Sequence, residues 1–173
     1  MQAIVSYCSV ICTLEDFMHQ PNIVILESRR FPDITEQWYN VAVGALTQQG
    51  ISISRVTVPS SADLPIALSM LLDTAHHSEN STLLAPDGYL VLGLNYKGDM
   101  PEQTHHNIWK LVHKLATKAG IPFSSVFEFE KEGTEISNAA TRYVSKIQLA
   151  VQSVVNLMML RHQLIHPPFA AAA

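Results

Sequence analysis

The sequence predicts an α/β fold: a three-layer α/β/α sandwich with a four-stranded parallel sheet in the middle. Two observations carry that expectation. Short apolar runs alternate four times with segments whose apolar residues recur at intervals of three and four, and that alternation is the mark of βα units. Several of the runs are apolar at every position, as strands must be when helices cover both faces of the sheet. The length of 173 residues suits one domain. Its boundaries read as an N-terminal arm over residues 1–21, a domain over 22–165 and a tail over 166–173.

Each element has its own signal. Residues 23–26 (IVIL) form the first strand. Pro32 and Asp33 open a helix carrying Ile34, Trp38, Val41, Ala42 and Ala45 on one face, and Gly50 is its expected C-cap. The second strand, 51–58, alternates and stops at Pro59. Pro65 stands where a first-turn proline is tolerated, ahead of a helix with Ile66, Leu68, Leu71 and Leu72. Residues 76–87 read as a polar loop, and 88–94 (GYLVLGL) as a third buried strand. The third helix sets Ile108, Leu111, Val112, Leu115, Ala116 and Ala119 on one face and Lys110, Lys114 and Lys118 on the other, ending at Gly120. Residues 122–129 make the fourth strand, and 134–164 read as helix, either one long or two joined.

Composition excludes several functions. Eleven Lys and Arg face 15 Asp and Glu, for a net charge of −4, with no basic run; nucleic acid is not the expected ligand. No apolar stretch approaches the ~18 residues of a membrane span. The opening MQAIVSYCSVICTL lacks a basic start and runs into Glu15 and Asp16, so it reads as an extended arm of a cytoplasmic protein rather than a signal peptide. Cys8 and Cys12 read as free thiols. Only 15% of residues are charged, which suits a chain that hides surface in an oligomer.

In parallel sheets ligands bind at the carboxyl ends of the strands. Here those ends are residues 27–32, 59–65, 95–106 and 127–133. The third contains Lys97, Gly98 and Asp99 just before a helix, a candidate anion site. No Walker A, GxGxxG or GxSxG motif is present, so nucleotide and serine-hydrolase chemistry lose their main support. His76, His77, His105, His106 and His113 could suggest a metal enzyme, but no HExxH or similar ligand spacing supports it. No metal is expected.

Four motifs in order give the chain a resemblance to the lumazine synthase family over residues 22–164. Residues 58–65 (VPSSADLP) resemble that family's V-P-G-[AS]-[FW]-E-[IL]-P turn, and 92–98 (LGLNYKG) resemble L-G-x-V-I-R-G. Residues 134–146 are similar to D-T-x-E-Q-A-x-x-R-x-G-x-K with one residue inserted, Arg142 and Lys146 keeping the R-x-x-x-K spacing. Residues 27–31 (ESRRF) resemble the S-R-[FW] end of the family's first strand, again with one extra residue.

The resemblance implies condensation of 5-amino-6-(D-ribitylamino)uracil with 3,4-dihydroxy-2-butanone 4-phosphate to give 6,7-dimethyl-8-ribityllumazine, with no bound cofactor. It implies Phe31 as a ring that stacks on the pyrimidine, and Ser61, Ala62 and Asp63 along the ribityl chain. Leu94, Asn95, Tyr96 and Phe127 would contact the pyrimidine; Lys97, Gly98, Asp99, Met100, Arg142 and Lys146 would surround the phosphate. The family's proton-transfer histidine falls, counting without gaps from Gly98, on Glu102. Among the nearby histidines, His105 lies on the packed face with Ile108 and Val112, whereas His106 lies on the lysine stripe. An imidazole titrates near pH 6.5 unperturbed, so His105 is the expected proton-transfer residue and Glu102 the alternative.

The departures from the family pattern are specific. Ala62 stands where the family has an aromatic residue, and Asp99 and Met100 stand where its phosphate loop has small or hydroxyl residues. A second reading therefore stays open: a non-catalytic paralogue serving as an assembly, shell or ligand-binding protein. The resemblance implies a homo-oligomer, a pentamer or higher, with residues 3–12 adding a strand to a neighbour's sheet. Residues 166–173 read as a disordered or appended tail.

Overall fold

A computed structural model describes residues 20–77, 85–131 and 138–166. The expected arm strand, both cysteines, the middle of the 76–87 loop, residues 132–137 and most of the tail lie outside them. Four parallel strands form one sheet in the order β2-β1-β3-β4: β1 Asn22–Ser28, β2 Ser52–Val58, β3 Gly88–Tyr96 and β4 Phe123–Glu130. Helix α1 (Pro32–Thr47) follows β1, α2 (Leu64–His77) follows β2, α3 (Glu102–Ala119) follows β3, and α4 (Ala139–Arg142) and α5 (Val144–Ile165) follow β4. This is the predicted sandwich.

Two cores separate the layers. Ile23, Ile25, Leu90 and Leu92 pack against Trp38 and Leu46 of α1 and Ile147, Val151 and Val154 of α5. On the other face, Val24, Leu26, Tyr89 and Val91 meet Leu64, Leu68 and Leu72 of α2 and Val112 of α3. Strands β1 and β3 are buried on both faces, which is why their sequences are apolar throughout rather than alternating.

The element ends differ from the sequence reading in physically readable ways. The first and third strands each extend two residues further, through Ser28 and Tyr96, because parallel neighbours continue to pair them. Gly50 does take a positive φ of 73°, but it lies past the C-cap Gln48, in the turn that feeds β2. A 3₁₀ turn, Ser61–Asp63, precedes α2 with a capping box: the Ser60 hydroxyl accepts from Ala62 N–H at 3.2 Å, and Asp63 Oδ2 accepts from Ser60 N–H at 3.2 Å. Gly120 is the left-handed C-cap of α3, with φ 62°.

The final helical region is two helices. The break falls at Tyr143, whose backbone (φ −102°, ψ 6°) leaves the helical basin. That break turns the Tyr143 ring onto the edge of Trp38, with centroids 5.6 Å apart at 88°, and the Trp38 indole donates to the Ala139 carbonyl at 3.2 Å.

One glycine is required by contact rather than by φ. A Cβ on Gly93 would lie 2.4 Å from the Phe127 ring and 3.2 Å from Leu64. The ring on β4 lies flat over the backbone of β3 because nothing projects there. Gly93→Ala is therefore expected to cost about 1–3 kcal/mol by overpacking. A urea melt checks this, and an unchanged midpoint would show that Phe127 swings away freely.

Candidate active site

The chain runs from β1 outward to β2 and then back across to β3, so the order of connections reverses between β1 and β3. A crevice at the carboxyl ends is expected at that point. It is spanned by an ion pair from Arg30, after β1, to Asp99, after β3. The open space lies one strand over. A cleft of about 690 Å³ sits between residues 97–102 and the end of β4, lined by Lys97, Asp99, Met100, Phe129 and Lys131. A second cleft, of about 510 Å³, shares Glu102 and Phe129 with it and reaches His105, His106 and Phe127.

His105 is the centre of this second space. It is half-buried in the first turn of α3, while its neighbour His106 is exposed. The imidazole stacks on Phe127 with centroids 4.5 Å apart and planes 9° from parallel, and meets Phe129 at 5.3 Å. Alternation along β4 places Phe127 and Phe129 on the same side, opposite Gly93 and Asn95 of β3. Asn95, 2% exposed, brings its Nδ2 to 2.9 Å from His105 Nδ1. Burial holds the His105 pKa below its ordinary 6.5; a charge on His106 acts the same way and Glu102 opposes it.

The other residues singled out from the sequence are spread around this centre. Ser61 is buried, and its hydroxyl has no hydrogen-bond partner among the described residues; the same holds for Ser28 at the end of β1. Ala62 is exposed. Asp63 has one oxygen committed to the capping box. Leu94 points into the core under α1 and α5, away from His105, so only its backbone faces the strand end. Phe31 sits half-buried at the N-terminus of α1 against that same core. The ring of Tyr96 lies beside Gly98, about 3.0 Å from where a Cβ would stand.

The expected phosphate residues are bound up internally. Asp99 and Met100 N–H groups both donate to the Tyr96 carbonyl, at 2.8 and 3.3 Å, and Lys97 N–H donates to the Glu130 carbonyl at 3.0 Å. Arg142 is ion-paired with Glu130 at 2.5 Å, and the Tyr143 hydroxyl donates to the same carboxylate oxygen at 2.9 Å. Lys146 pairs with Glu128 at 2.8 Å. Burial and the Glu130 carboxylate push the Tyr143 phenol up to about 12. Sequence reasoning did not single out Arg30, Glu128, Glu130 or Phe129. The alternating FEFE of residues 127–130 was the available signal, since it sets two aromatics on one face of β4 and two carboxylates on the other.

On the α1 side of the sheet a second polar cluster lies at the strand ends. Glu27 is fully buried, and its Oε1 accepts from Arg55 Nε at 3.1 Å and Nη2 at 2.6 Å. Arg55 also reaches Glu36 and lies over the Tyr39 ring at 3.8 Å. Among the described residues no three His, Cys, Asp or Glu side chains converge as a metal site, and no helix is long and apolar enough to cross a membrane.

Comparison with known proteins bears on the same region. The family model for 6,7-dimethyl-8-ribityllumazine synthase matches residues 20–162. Among curated relatives, a 6,7-dimethyl-8-ribityllumazine synthase of Agrobacterium fabrum is 29% identical over 82 residues, covering 47% of this chain and 53% of the relative. One of Nitrobacter hamburgensis is 33% identical over 76 residues, 44% of each chain. One of Bartonella bacilliformis is 28% identical over 79 residues, 46% of this chain and 47% of the relative. The chain spans about half the length of the curated relatives it matches.

Burial of two imidazoles gives a pH prediction. Burial lowers the pKa of both His105 and His113, so the folded state disfavours their charged forms. Their stabilisation is complete above the unfolded value of about 6.5 and is lost as pH falls through the folded values. Glu27, raised by burial, works in the opposite direction. The histidine part is therefore read as a difference: urea stability of wild type should fall more between pH 7 and pH 5.5 than that of His105→Gln. Equal slopes would contradict a buried neutral His105.

Proposed function

The chain belongs to the 6,7-dimethyl-8-ribityllumazine synthase family, and from that premise we propose that its strand-end cleft condenses a ribitylamino-pyrimidinedione with a four-carbon ketone phosphate in riboflavin biosynthesis. The observation that carries this reading is the imidazole of His105, half-buried against Phe127 beside an open cleft at the carboxyl ends of β3 and β4. A flat heteroaromatic substrate needs an aromatic wall, and Phe127 and Phe129 supply one. The unpartnered hydroxyls of Ser28 and Ser61 are suited to a ribityl chain.

Most of the rate advantage in such a condensation is proximity. Holding an amine against a ketone contributes about 7–11 kcal/mol relative to a bimolecular encounter. His105 then meets the reacting atoms, and Glu102 stands at the cleft wall as the second protic group. None of these steps calls for a metal or an organic cofactor. In this reading the protein works in the cytoplasm on two small-molecule substrates, with neither nucleic acid nor membrane as partner.

Assembly belongs to the same reading. Ile66 and Met70 on α2 are each 65% exposed, and Leu149 and Leu164 on α5 are 71% and 74% exposed. Large exposed apolar side chains of this kind, where they gather into patches, mark protein–protein contact. We assign them to copies of the same chain in a pentamer or larger ring, with residues 1–21 as an arm and 22–165 as the domain. Sedimentation at micromolar concentration should give at least a pentamer, and a monodisperse monomer would remove this part of the reading.

The ion pairs favour a second reading. Arg30, Arg142 and Lys146 each carry a carboxylate partner, so a phosphate must displace that carboxylate to engage any of the three. A chain in which no displacement occurs is the non-catalytic paralogue, holding a ribityl compound without turnover. Mixing the purified protein with both substrates and following lumazine fluorescence separates the two: product above the uncatalysed background supports the enzyme.

Two variant sets follow. Glu130→Gln frees Arg142 and should lower the KM for the ketone phosphate about tenfold, while Arg142→Ala should raise it by as much and leave the ribityl substrate nearly unaffected. Unchanged phosphate dependence in both would make Arg142 a structural residue. His105→Ala should lower kcat about 10²-fold or more, Glu102→Gln less, and His106→Ala little. A His105 variant as fast as wild type would end its assignment.

A further inference from the structure

We infer that Asn95 is a positioning residue for His105: its carboxamide fixes the imidazole as the Nε2–H tautomer, so that the cleft is offered a neutral hydrogen-bond donor and not a base. The inference rests on the reading of His105 as the group that meets substrate, and it deepens that reading by assigning what the ring presents.

With the amide nitrogen of Asn95 turned to the ring, hydrogen-bond valence sets the tautomer. Asn95 Nδ2 lies 2.9 Å from His105 Nδ1. A carboxamide nitrogen carries two protons and no available lone pair, so it can only donate. Nδ1 must therefore accept, and the ring proton of a neutral imidazole then resides on Nε2. No described residue gives Nε2 a hydrogen bond. Protonating His105 at Nδ1 would set two donors against each other, so the same contact disfavours imidazolium.

Three features keep this arrangement from relaxing. Asn95 is near the carboxyl end of the interior strand β3 and 2% exposed, so water cannot readily replace its partner. Phe127 stacks on the imidazole at 4.5 Å and is itself seated over Gly93, which stops the ring from rotating to exchange its nitrogens. The charged groups facing His105 are few: Glu102 and the titratable His106 on its own helix. Glu128 of β4 borders the cleft but turns to Lys146 on the other face of the sheet. Burial adds to the preference for the neutral ring.

A neutral imidazole held this way can polarise a carbonyl oxygen by donating from Nε2, as oxyanion donors do, and gives up no proton in doing so. In the condensation, that oxygen would be the oxygen of the ketone whose carbon the amine attacks, where the electrons of the C=O bond collect as the C–N bond forms. Proton removal at carbon then falls to another group, and Glu102 lines the same cleft. The family pattern resembled by residues 92–98 has valine where Asn95 stands, so the device belongs to this chain's sequence.

The test uses full-length protein labelled with ¹⁵N-histidine and long-range proton–nitrogen NMR across a pH titration, which reports tautomer and pKa without any turnover. Wild type should show His105 as the Nε2–H form at neutral pH, titrating below 6.5. Asn95→Asp should convert it to the Nδ1–H form, because a carboxylate accepts from Nδ1, and should move its titration upward by about one pH unit or more. Asn95→Val, which keeps the strand apolar, should leave a mixture of tautomers. If the steady-state kcat is measurable, Asn95→Asp should shift the acidic limb of its pH profile upward. A wild-type His105 in the Nδ1–H form would overturn the inference, and so would a His105 titration left unmoved in folded Asn95→Asp protein. Absence of lumazine formation alongside the expected spectra would remove the enzymatic reading and leave the tautomer assignment intact.

Discussion

Two-sided burial of β1 and β3 is the constraint on which the rest depends. Every residue from Ile23 to Ser28 and from Gly88 to Asn95 is buried. Their backbone groups must be satisfied by parallel neighbours, which fixes the strand order and register. Any polar side chain they carry must likewise be satisfied inside, or leave a buried group unpaired. Both strands are apolar until their carboxyl ends, where Glu27, Ser28 and Asn95 appear. Apart from the Tyr89 phenol, the buried polar side chains described on these two strands lie at the edge where such a sheet is expected to bind ligands.

The two faces solve this requirement differently. Under α1, the buried Glu27 recruits Arg55, which is fastened by Glu36 and stacked on Tyr39. A buried pair of this kind is costly to break, about 3–5 kcal/mol when one partner is removed, although it adds little stability over an apolar replacement. Its effect is to pin β1, β2 and α1 together at one corner. Under α3, the neutral Asn95 takes a neutral imidazole instead. The charged cluster engages Oε1 of Glu27 and leaves Oε2 buried without a partner among the described residues, whereas the neutral one keeps Nε2 available beside a cleft.

Much of the fold was legible from residue order, because parallel strands between amphipathic helices leave strong periodic signals. The third helix is an instance: the exposed lysine stripe and the buried Val112 and Ala116 follow from spacing and Gly120 marks its end, although Leu111, expected on the packed face, is exposed. The strand ends were less legible, since Ser28, Asn95 and Tyr96 are polar residues that continue a strand only because a neighbour pairs with them. The break at Tyr143 had no proline or glycine to announce it. At the site, helical spacing separates His105 from His106, but the partners are long-range. Asn95 and His105, Arg30 and Asp99, and Arg142 and Glu130 meet through strand register, which sequence spacing does not encode.

The residues that depart from the family pattern after β3 are charge-compensated. A carboxylate at Asp99 beside a dianion site would be repulsive if alone, yet Arg30 reaches it across the crevice between β1 and β3. Glu130 likewise arrives with Arg142 and a Tyr143 hydroxyl. Each acid thus comes with a base, and Arg30 and Arg142 each acquire an internal competitor. Affinity for an anion in such a site is set by an exchange of partners rather than by unpaired positive charge. Exchange is less sensitive to bulk attraction and more sensitive to geometry, because the incoming group must match the carboxylate it replaces. Arg30 and Arg142 meet that demand better than Lys146 does, since a guanidinium presents paired donors to carboxylate and phosphate alike.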